Sequence, residues 1–145
     1  MFTKKQKEDY NETLSHLTIP AFGYELIREA LLKDLLGKDY SSILYWSGKN
    51  LARQMPLQSL DEIISFYKKS GWGNLEIIKE RKGEMIFSLK SDWIHNRLQR
   101  EGEISFHIEA GFLAEQIRNA FGHEAEAMEE QKKKTSEVII TVKWD

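Results

Sequence analysis

The sequence has 145 residues, 41% of them hydrophobic, a length typical of one domain with one core. It contains no cysteine, which excludes disulfides, thiolate zinc sites, cysteine nucleophiles and S-acylation. Its 21 basic and 23 acidic residues give a net charge of −2, without the basic excess typical of nucleic-acid-binding proteins.

The apolar patterning also argues against a membrane-associated chain. No apolar run reaches the roughly 18 residues that a membrane-spanning helix requires, and MFTKKQKEDYNETL lacks the apolar segment of a secretory signal. We therefore expect a soluble, cytoplasmic protein with no membrane span and no nucleic-acid partner. Residues 1–18 are predicted to form a polar, loosely docked N-terminal arm, and residues 19–145 a single α+β domain.

The first predicted helix of the domain begins at Pro20 and ends at Gly37, because proline suits a first helical turn and glycine a left-handed C-cap. Its apolar residues form one stripe, made by Tyr24, Ile27, Ala30, Leu31 and Leu35 and widened by Leu26 and Leu32. A stripe this wide predicts a helix that is buried on more than one side.

Two further helices are predicted on either side of Pro56, over residues 39–55 and 59–70. Gly48 lies in the middle of the first of these, where it costs about 1 kcal/mol relative to alanine. We interpret it as a point where another backbone comes close. The Gly71-Trp72-Gly73 sequence that follows is interpreted as a helix C-cap and a large core aromatic.

Beyond this turn the apolar spacing changes from a helical to an alternating pattern. NLEII (residues 74–78) and EMIFSLK (residues 84–90) flank a charged, glycine-containing turn and predict a β-hairpin. The C-terminal EVIITVKWD is predicted to be a strand, with Val138, Ile140, Val142 and Trp144 on one face.

Two segments between these elements are less regular. SDWIHNRLQREGE (residues 91–103) is predicted to be a loop or a short turn. HEAEAMEEQKKKTS (residues 123–136) is rich in residues that favour helices, yet the terminal strand needs a partner. The residues alone are equally consistent with a helix and with a strand here.

The pair His107 and Glu109 matches the first half of a zinc-deaminase signature, but the second half requires two cysteines. We interpret these residues as a strand end and a first-turn carboxylate favoured by the helix dipole. Gly111 in the same helix would permit close packing. The sequence carries no nucleophile elbow, phosphate-binding glycine loop or H-E-x-x-H pattern, so we expect no catalytic residue, no metal and no cofactor.

Two aromatic residues lie away from the main apolar stripes of their helices. Trp46 lies on the side that carries Lys49 and Arg53, and Phe112 lies far from the centre of its stripe. Scattered apolar residues are normal on a protein surface. The alternative is that each helix has a second buried side, against a ligand or another subunit.

Several phrases together resemble the YslB family of bacterial proteins: GYELIREALLKDLLGKDYSSILYWSGKNLAR, SGWGNL, HIEAGFLAEQI and VIITVKWD. The resemblance runs from about Gly23 to the C-terminus. That family is in turn similar to 4-vinyl-reductase-type sensor domains and, more distantly, to TRAPP vesicle-tethering subunits. The shared features are Gly48, the Gly71-Trp72-Gly73 turn and Gly111-Phe112.

The resemblance implies an α+β fold in which a helical layer packs on a four-stranded antiparallel sheet. This is the ligand-binding-domain type shared by NO-signalling and Golgi-transport proteins. It further implies that HEAEAMEEQ is a strand paired with VIITVKWD. Because the chain has no cysteine, neither the zinc of the sensors nor the acylated cysteine of the tethering subunits carries over, and Glu115 replaces the sensors' second glycine.

The sensor relatives bind small hydrophobic molecules between helices and sheet, and many are dimers. The resemblance therefore implies a non-enzymatic module for a small hydrophobic ligand. We expect its lining to include Tyr24, Ile27, Tyr45, Trp72, Phe87 and Phe112. The alternative is an interaction or homodimerisation module without a ligand, acting through Trp46, Lys49 and Arg53 together with Phe112.

Overall fold

The computed structural model describes all 145 residues, from Met1 to Asp145. Its helices are α1 (Lys4–Glu12), α2 (Ala21–Glu25), α3 (Leu32–Leu36), α4 (Tyr40–Gln54), α5 (Leu60–Lys69), α6 (Asp92–Leu98) and α7 (His107–Phe121). A π-helical segment, Leu26–Leu31, joins α2 to α3 without a break. The strands are β1 (Asn74–Arg81), β2 (Glu84–Lys90), β3 (Ala125–Lys132) and β4 (Glu137–Trp144).

The four strands form one antiparallel sheet in the order β1-β2-β4-β3, and the helices pack on one of its faces. The implied α+β fold is therefore confirmed. Val138, Ile140 and Val142 of β4 are fully buried, as their alternation predicted. No helix combines the length and the hydropathy that crossing a membrane requires.

Strand β3 forms although its sequence, AEAMEEQK, favours a helix. Its backbone pairs with β4 along its whole length, so β4 is not left as an edge strand. Ala125 and Ala127 face the helices, where their small side chains let α7 approach. Met128 is exposed, and the partly exposed Glu126 reaches Tyr45 and Lys49 of α4. Backbone pairing and packing therefore outweigh intrinsic propensity in this segment.

Helix α7 lies at the centre of the molecule. Every residue from 109 to 117 is buried, because α4 covers one side of the helix and the sheet covers the other. A Cβ at Gly48 would overlap the Ile108 carbonyl oxygen, and a Cβ at Gly111 would overlap the Tyr45 carbonyl oxygen. The two glycines thus face each other's helix, and the predicted close backbone approach is confirmed.

Two local predictions are wrong. Residues 91–103 were expected to form a loop or a short turn, but Asp92–Leu98 is a helix of two turns, because Ser91 caps the Ile94 amide and Ile94 and Leu98 share a buried face. No strand precedes His107, which instead begins α7 after an irregular segment.

The predicted burial of the first long helix is also wrong. Ile27, Leu31 and Leu35 are 54, 56 and 77% exposed, whereas Glu25 and Arg28 on the opposite side are buried. The helix therefore presents its charged side to the core. This is possible because α6 and α7 supply charged partners for those side chains.

The N-terminal arm is helical over α1, where Thr3 and Gln6 form a reciprocal capping box. None of the α1 residues is buried. The apolar side chains of the arm, Phe2, Tyr10 and Leu14, lie against the body of the domain and form one wall of a pocket.

Candidate functional site

An aromatic cluster occupies the space between α5 and α7. Phe112 is fully buried and stacks on Phe66 with ring centroids 4.6 Å apart. Tyr67 and Trp72 meet the Phe112 ring edge-on, at 5.8 and 5.3 Å. Such offset and edge-to-face pairs add about 0.5–1.5 kcal/mol each beyond the burial of area. Phe112 is therefore a core residue, and Trp72 is the core aromatic that the sequence predicted.

A pocket of about 340 Å³ opens directly onto the outer side of this cluster. Its floor is formed by Leu51 and Met55 at the end of α4, and by Phe66 and Trp72. We call it the arm pocket, because the N-terminal arm forms its other wall. Pockets for small ligands typically start at about 300 Å³.

The arm contributes mainly apolar groups to the arm pocket. Phe2 and Tyr10 form an edge-to-face pair with centroids 4.9 Å apart, and Leu14 lies beside them. Lys69, at the end of α5, is the one charged side chain of the lining. The pocket therefore combines mainly apolar walls with a single cationic group and with the polar side chains of Asn11, Ser15 and Ser70.

The predicted ligand-binding residues do not converge on one cavity. Trp72 lines the arm pocket, and Phe87 is fully buried in the core beneath the sheet. The Tyr45 hydroxyl donates a hydrogen bond to Glu126 at 2.5 Å. Tyr24 and Ile27 lie on the first long helix, whose inner side faces a group of charged side chains.

That charged group, which we call the ion-pair cluster, is made by Glu25, Arg28, Glu29, Arg97 and Glu109. Arg28 donates two hydrogen bonds to the Glu109 carboxylate, at 2.6 and 2.7 Å, and both side chains are almost completely buried. Burial alone would lower the pKa of Arg28, but the adjacent Glu109 carboxylate raises it above its usual value.

The second half of the ion-pair cluster is centred on Arg97, which is fully buried. It donates to both carboxylate oxygens of Glu25 and, at 2.6 Å, to Glu29. Trp93 donates its indole N–H to Glu25. Although burial opposes it, the hydrogen bonds and charge of Arg97 hold the pKa of Glu25 below its usual value.

The Ser105 carbonyl links the two halves, because it accepts hydrogen bonds from both Arg28 and Arg97. Sequence reasoning missed this cluster. The available indication was the set of three charged residues, Glu25, Arg28 and Glu29, in a mostly apolar helix. Their partners Arg97 and Glu109 lie so far along the chain that the pairing could not be predicted without the fold. Glu109 lies in the first turn of α7, as predicted, and its ion-pair partner is Arg28.

The proposed interface residues Trp46, Lys49 and Arg53 line one groove between α4 and β3, of about 330 Å³. Trp46 is 57% exposed. Lys49 pairs with Glu126, and Arg53 pairs with Glu115 at 3.1 Å, so both cations already have partners within the chain. Their role in an interface stays a prediction.

The chain is similar to known proteins over nearly its whole length. Residues 21–143 match the model of a protein family of unknown function, DUF2507. The chain belongs to the DUF2507 family. It is 44% identical to YslB of Bacillus subtilis over 142 residues. This alignment covers 98% of this chain and 96% of YslB. The family resemblance seen in the sequence is therefore confirmed.

Solved structures extend the DUF2507 comparison to the level of the fold. A vinyl-4-reductase family protein from Methanocaldococcus jannaschii superimposes with a TM-score of 0.68 at 18% identity, covering 97% of this chain and 89% of that one. An unliganded Fe(II) H-NOX protein variant from K. algicida gives a TM-score of 0.55 at 11% identity, covering 89% and 75%. At these identities the likeness shows a shared fold.

One more ionisable group in this DUF2507 chain has an unusual environment. Glu129 of β3 points towards the helices and accepts a hydrogen bond from the Phe106 amide, which precedes α7, at 2.6 Å. Burial raises its pKa to about 7; the Phe106 hydrogen bond opposes the rise, and the nearby Glu109 charge adds to it. Glu129 thus binds a proton more tightly in the folded than in the unfolded chain.

This difference predicts a pH-dependent stability. Since the folded-state pKa of Glu129 is raised from 4.5 to about 7, its contribution to the free energy of unfolding is greatest in acid and falls as pH rises across that range. Each pKa unit corresponds to about 1.4 kcal/mol, so the fall is up to about 3 kcal/mol. Glu129→Gln should remove this fall in stability, and the glutamine side-chain oxygen can still accept the hydrogen bond from the Phe106 amide.

Urea denaturation of wild type and Glu129→Gln at pH 4.5 and pH 8 tests this expectation. The stability of Glu129→Gln relative to wild type should grow with pH, because only the wild type loses the stabilising proton of Glu129 across this range. Glu130→Gln, an exposed neighbour on the same strand, is the control and should show no such trend. An advantage that does not change with pH would contradict the raised pKa.

Proposed function

We propose that this chain is a non-enzymatic binding module that holds a small hydrophobic molecule in the arm pocket. The observation that carries the proposal is the pocket itself: a largely apolar space of about 340 Å³ that opens onto Phe66 and Trp72 of the aromatic cluster. The fold shared with H-NOX and vinyl-4-reductase family proteins supports a binding role.

The chemistry of the lining favours binding over catalysis. Its apolar floor and walls suit an aromatic or acyl group, and Lys69 at the rim suits one anionic substituent. The lining contains no carboxylate and no histidine that could transfer a proton. The ligand class expected here is a small, largely apolar molecule with at most one negative charge.

The placement of the pocket also suggests how a ligand enters. None of the α1 residues is buried, so the arm is held to the body by partial contacts only. Displacing such a segment costs little, because few buried apolar contacts are lost. In this proposal the arm moves aside for the ligand and then packs against it.

A fluorescent probe with this chemistry, anilinonaphthalene sulfonate, tests the proposal by titration against the full chain. Leu14→Gln replaces an apolar group of the arm wall with a polar one of similar size and adds no charge that would attract the sulfonate, so it should weaken probe binding about tenfold. Ile78→Gln, the same kind of change at an exposed site on β1, should leave the affinity unchanged.

Two outcomes would contradict the assignment of the arm pocket. One is a Leu14→Gln chain that binds the probe as tightly as wild type. The other is a loss of binding on Leu31→Gln, because Leu31 lies on an exposed apolar surface outside the pocket. Native mass spectrometry of the chain purified from its own organism complements the titration and should detect a retained lipophilic mass.

A further inference from the structure

A second pocket, of about 470 Å³, lies beside the arm pocket, and we call it the side pocket. Asn11, Phe66 and Lys69 line both pockets, so the two spaces adjoin at these side chains. The other lining residues of the side pocket are one leucine and three polar residues, Leu57, Asp61, Glu62 and Ser65. A largely apolar space therefore continues into a polar one along the surface of α5.

The polar groups of the side pocket follow one ridge of α5. Asp61, Ser65 and Lys69 lie four residues apart along this helix. At a rise of about 1.5 Å per residue, the backbones of Asp61 and Lys69 are about 12 Å apart along the helix axis. Helical side chains lean towards the helix N-terminus, so the long side chain of Lys69 extends towards Asp61. The side pocket thus has a cation at the end shared with the arm pocket and a carboxylate farther along.

These two charges are not neutralised within the chain. Lys69 and Asp61 are exposed, and neither forms an ion pair. Glu62, the other carboxylate of the side pocket, differs because it accepts a hydrogen bond from the Gln58 amide at 2.6 Å. At a separation of two helical turns, Lys69 and Asp61 are too far apart to pair with each other. Both are therefore available to a ligand.

The order of the two charges specifies the order of groups in a ligand. A molecule whose apolar part fills the arm pocket meets Lys69 first, because Lys69 lines both pockets. It meets Asp61 next, because Asp61 lines the side pocket alone. An anion next to the apolar part would pair with Lys69, and a cation beyond it would pair with Asp61. Ion contacts of about 3 Å at each end, with a short linker between anion and cation, cover the gap that remains once Lys69 extends.

We infer that the ligand of this chain is a single-chain amphiphile with a zwitterionic head, in which a phosphodiester is next to the chain and an ammonium group is at the far end. A phosphodiester fits the central position because it keeps its negative charge while joining two groups, which a carboxylate does not. The inference rests on the proposed binding role of the arm pocket and adds a head-group site to it. At about 340 Å³ the arm pocket is near the lower limit for small-molecule pockets, so one chain is expected rather than the two of a bilayer lipid.

Calorimetric titration of the full chain with two zwitterions of equal chain length tests the order of the head group. Decylphosphocholine has its phosphate next to the chain, whereas decyl betaine has its ammonium there and its carboxylate at the far end. Below their micelle concentrations, decylphosphocholine should bind at least fivefold more tightly, because its charges match two exposed partners that the betaine opposes. Equal affinities, or tighter binding of the betaine, would overturn the inference.

Substitutions assign the ammonium group to Asp61. Asp61→Asn should weaken decylphosphocholine binding about threefold to fivefold, as expected for one exposed ion pair, without weakening the binding of decyl sulfate, which has no ammonium. Asp34→Asn, at an exposed aspartate of α3 outside both pockets, should change neither affinity. A preference for decylphosphocholine that persists undiminished in Asp61→Asn would contradict the head-group site.

A charge exchange is the sharpest form of this test. Asp61→Lys combined with Lys69→Asp keeps the net charge and should reverse the preference, so that decyl betaine binds more tightly than decylphosphocholine. An exchanged chain that folds and still prefers decylphosphocholine would overturn the inference. The exchange opposes the dipole of α5, so Asp61→Asn is the decisive variant if thermal unfolding shows that the exchanged chain does not fold.

The anilinonaphthalene sulfonate titration distinguishes failure of the head-group site from failure of the proposed function. If the probe binds in the arm pocket and the two zwitterions bind equally, the head-group site alone is wrong. If Leu14→Gln leaves probe binding unchanged, the arm pocket itself is wrong and both proposals fail. Vesicles of a two-chain phosphatidylcholine separate a bilayer lipid from a free amphiphile. They should not bind the chain, and vesicle binding that Asp61→Asn removes would overturn the single-chain assignment.

Discussion

Replacing Gly111 with alanine is expected to destabilise the protein by about 3 kcal/mol or more. The new Cβ would overlap the Tyr45 carbonyl oxygen, which belongs to the backbone of α4 and cannot rotate away. The α4–α7 pair would have to separate, and overpacking of this kind typically costs 1–3 kcal/mol and occasionally more. For a domain of this size the midpoint of thermal unfolding should fall by about 10 °C.

The matched control for this prediction is Gly23→Ala. Gly23 is also helical, but a Cβ there meets nothing within 4 Å, so alanine should stabilise the helix by about 0.5–1 kcal/mol. The same substitution should therefore have opposite signs at the two sites in urea denaturation. If Gly111→Ala were as stable as wild type, the two helices could not be packed as closely as described.

The second large effect is expected when Arg28 is replaced by methionine. Glu109 would then keep a fully buried carboxylate without its partner, and breaking a buried pair in this way costs about 3–5 kcal/mol. Chemical denaturation of wild type and Arg28→Met at neutral pH measures this loss.

A double-mutant cycle isolates the Arg28–Glu109 pair. Adding Glu109→Gln to Arg28→Met should recover part of the stability, because the buried charge is removed. Lys143→Met serves as the control: its contact with Glu84 is 3.8 Å long and exposed, so its loss should cost no more than about 0.5 kcal/mol. If Arg28→Met cost no more than Lys143→Met, the ion-pair cluster would not contribute to folding.

The sequence alone predicted those features that depend on neighbours along the chain. Alternating apolar residues predicted the β1–β2 hairpin and the buried face of β4, and the helix-breaking Pro56 separated α4 from α5. Gly48 could be interpreted as a close approach because a glycine costs too much in mid-helix without such a reason. Family resemblance was needed to decide between helix and strand for β3.

The candidate site was less accessible to sequence reasoning. Phe112 was noted because it lies off its stripe, but the helix turned out to be buried all round, so both of its sides face the core. The arm pocket depends on how α1 rests against Trp72 and Phe66. The spacing of apolar residues, in α1 or in the segment that carries Phe66 and Trp72, does not indicate that the two segments are in contact.

The first long helix separates most clearly what the sequence determined from what the tertiary structure decided. Its apolar and charged sides are set by the order of residues, and the sequence correctly gives two distinct faces. Which face turns inward depends on Arg97 and Glu109, which lie far along the chain and are brought opposite Glu25 and Arg28 only in the folded protein. Buried charges are tolerated only with such partners, so the fold decided the orientation of this helix and left its apolar side exposed.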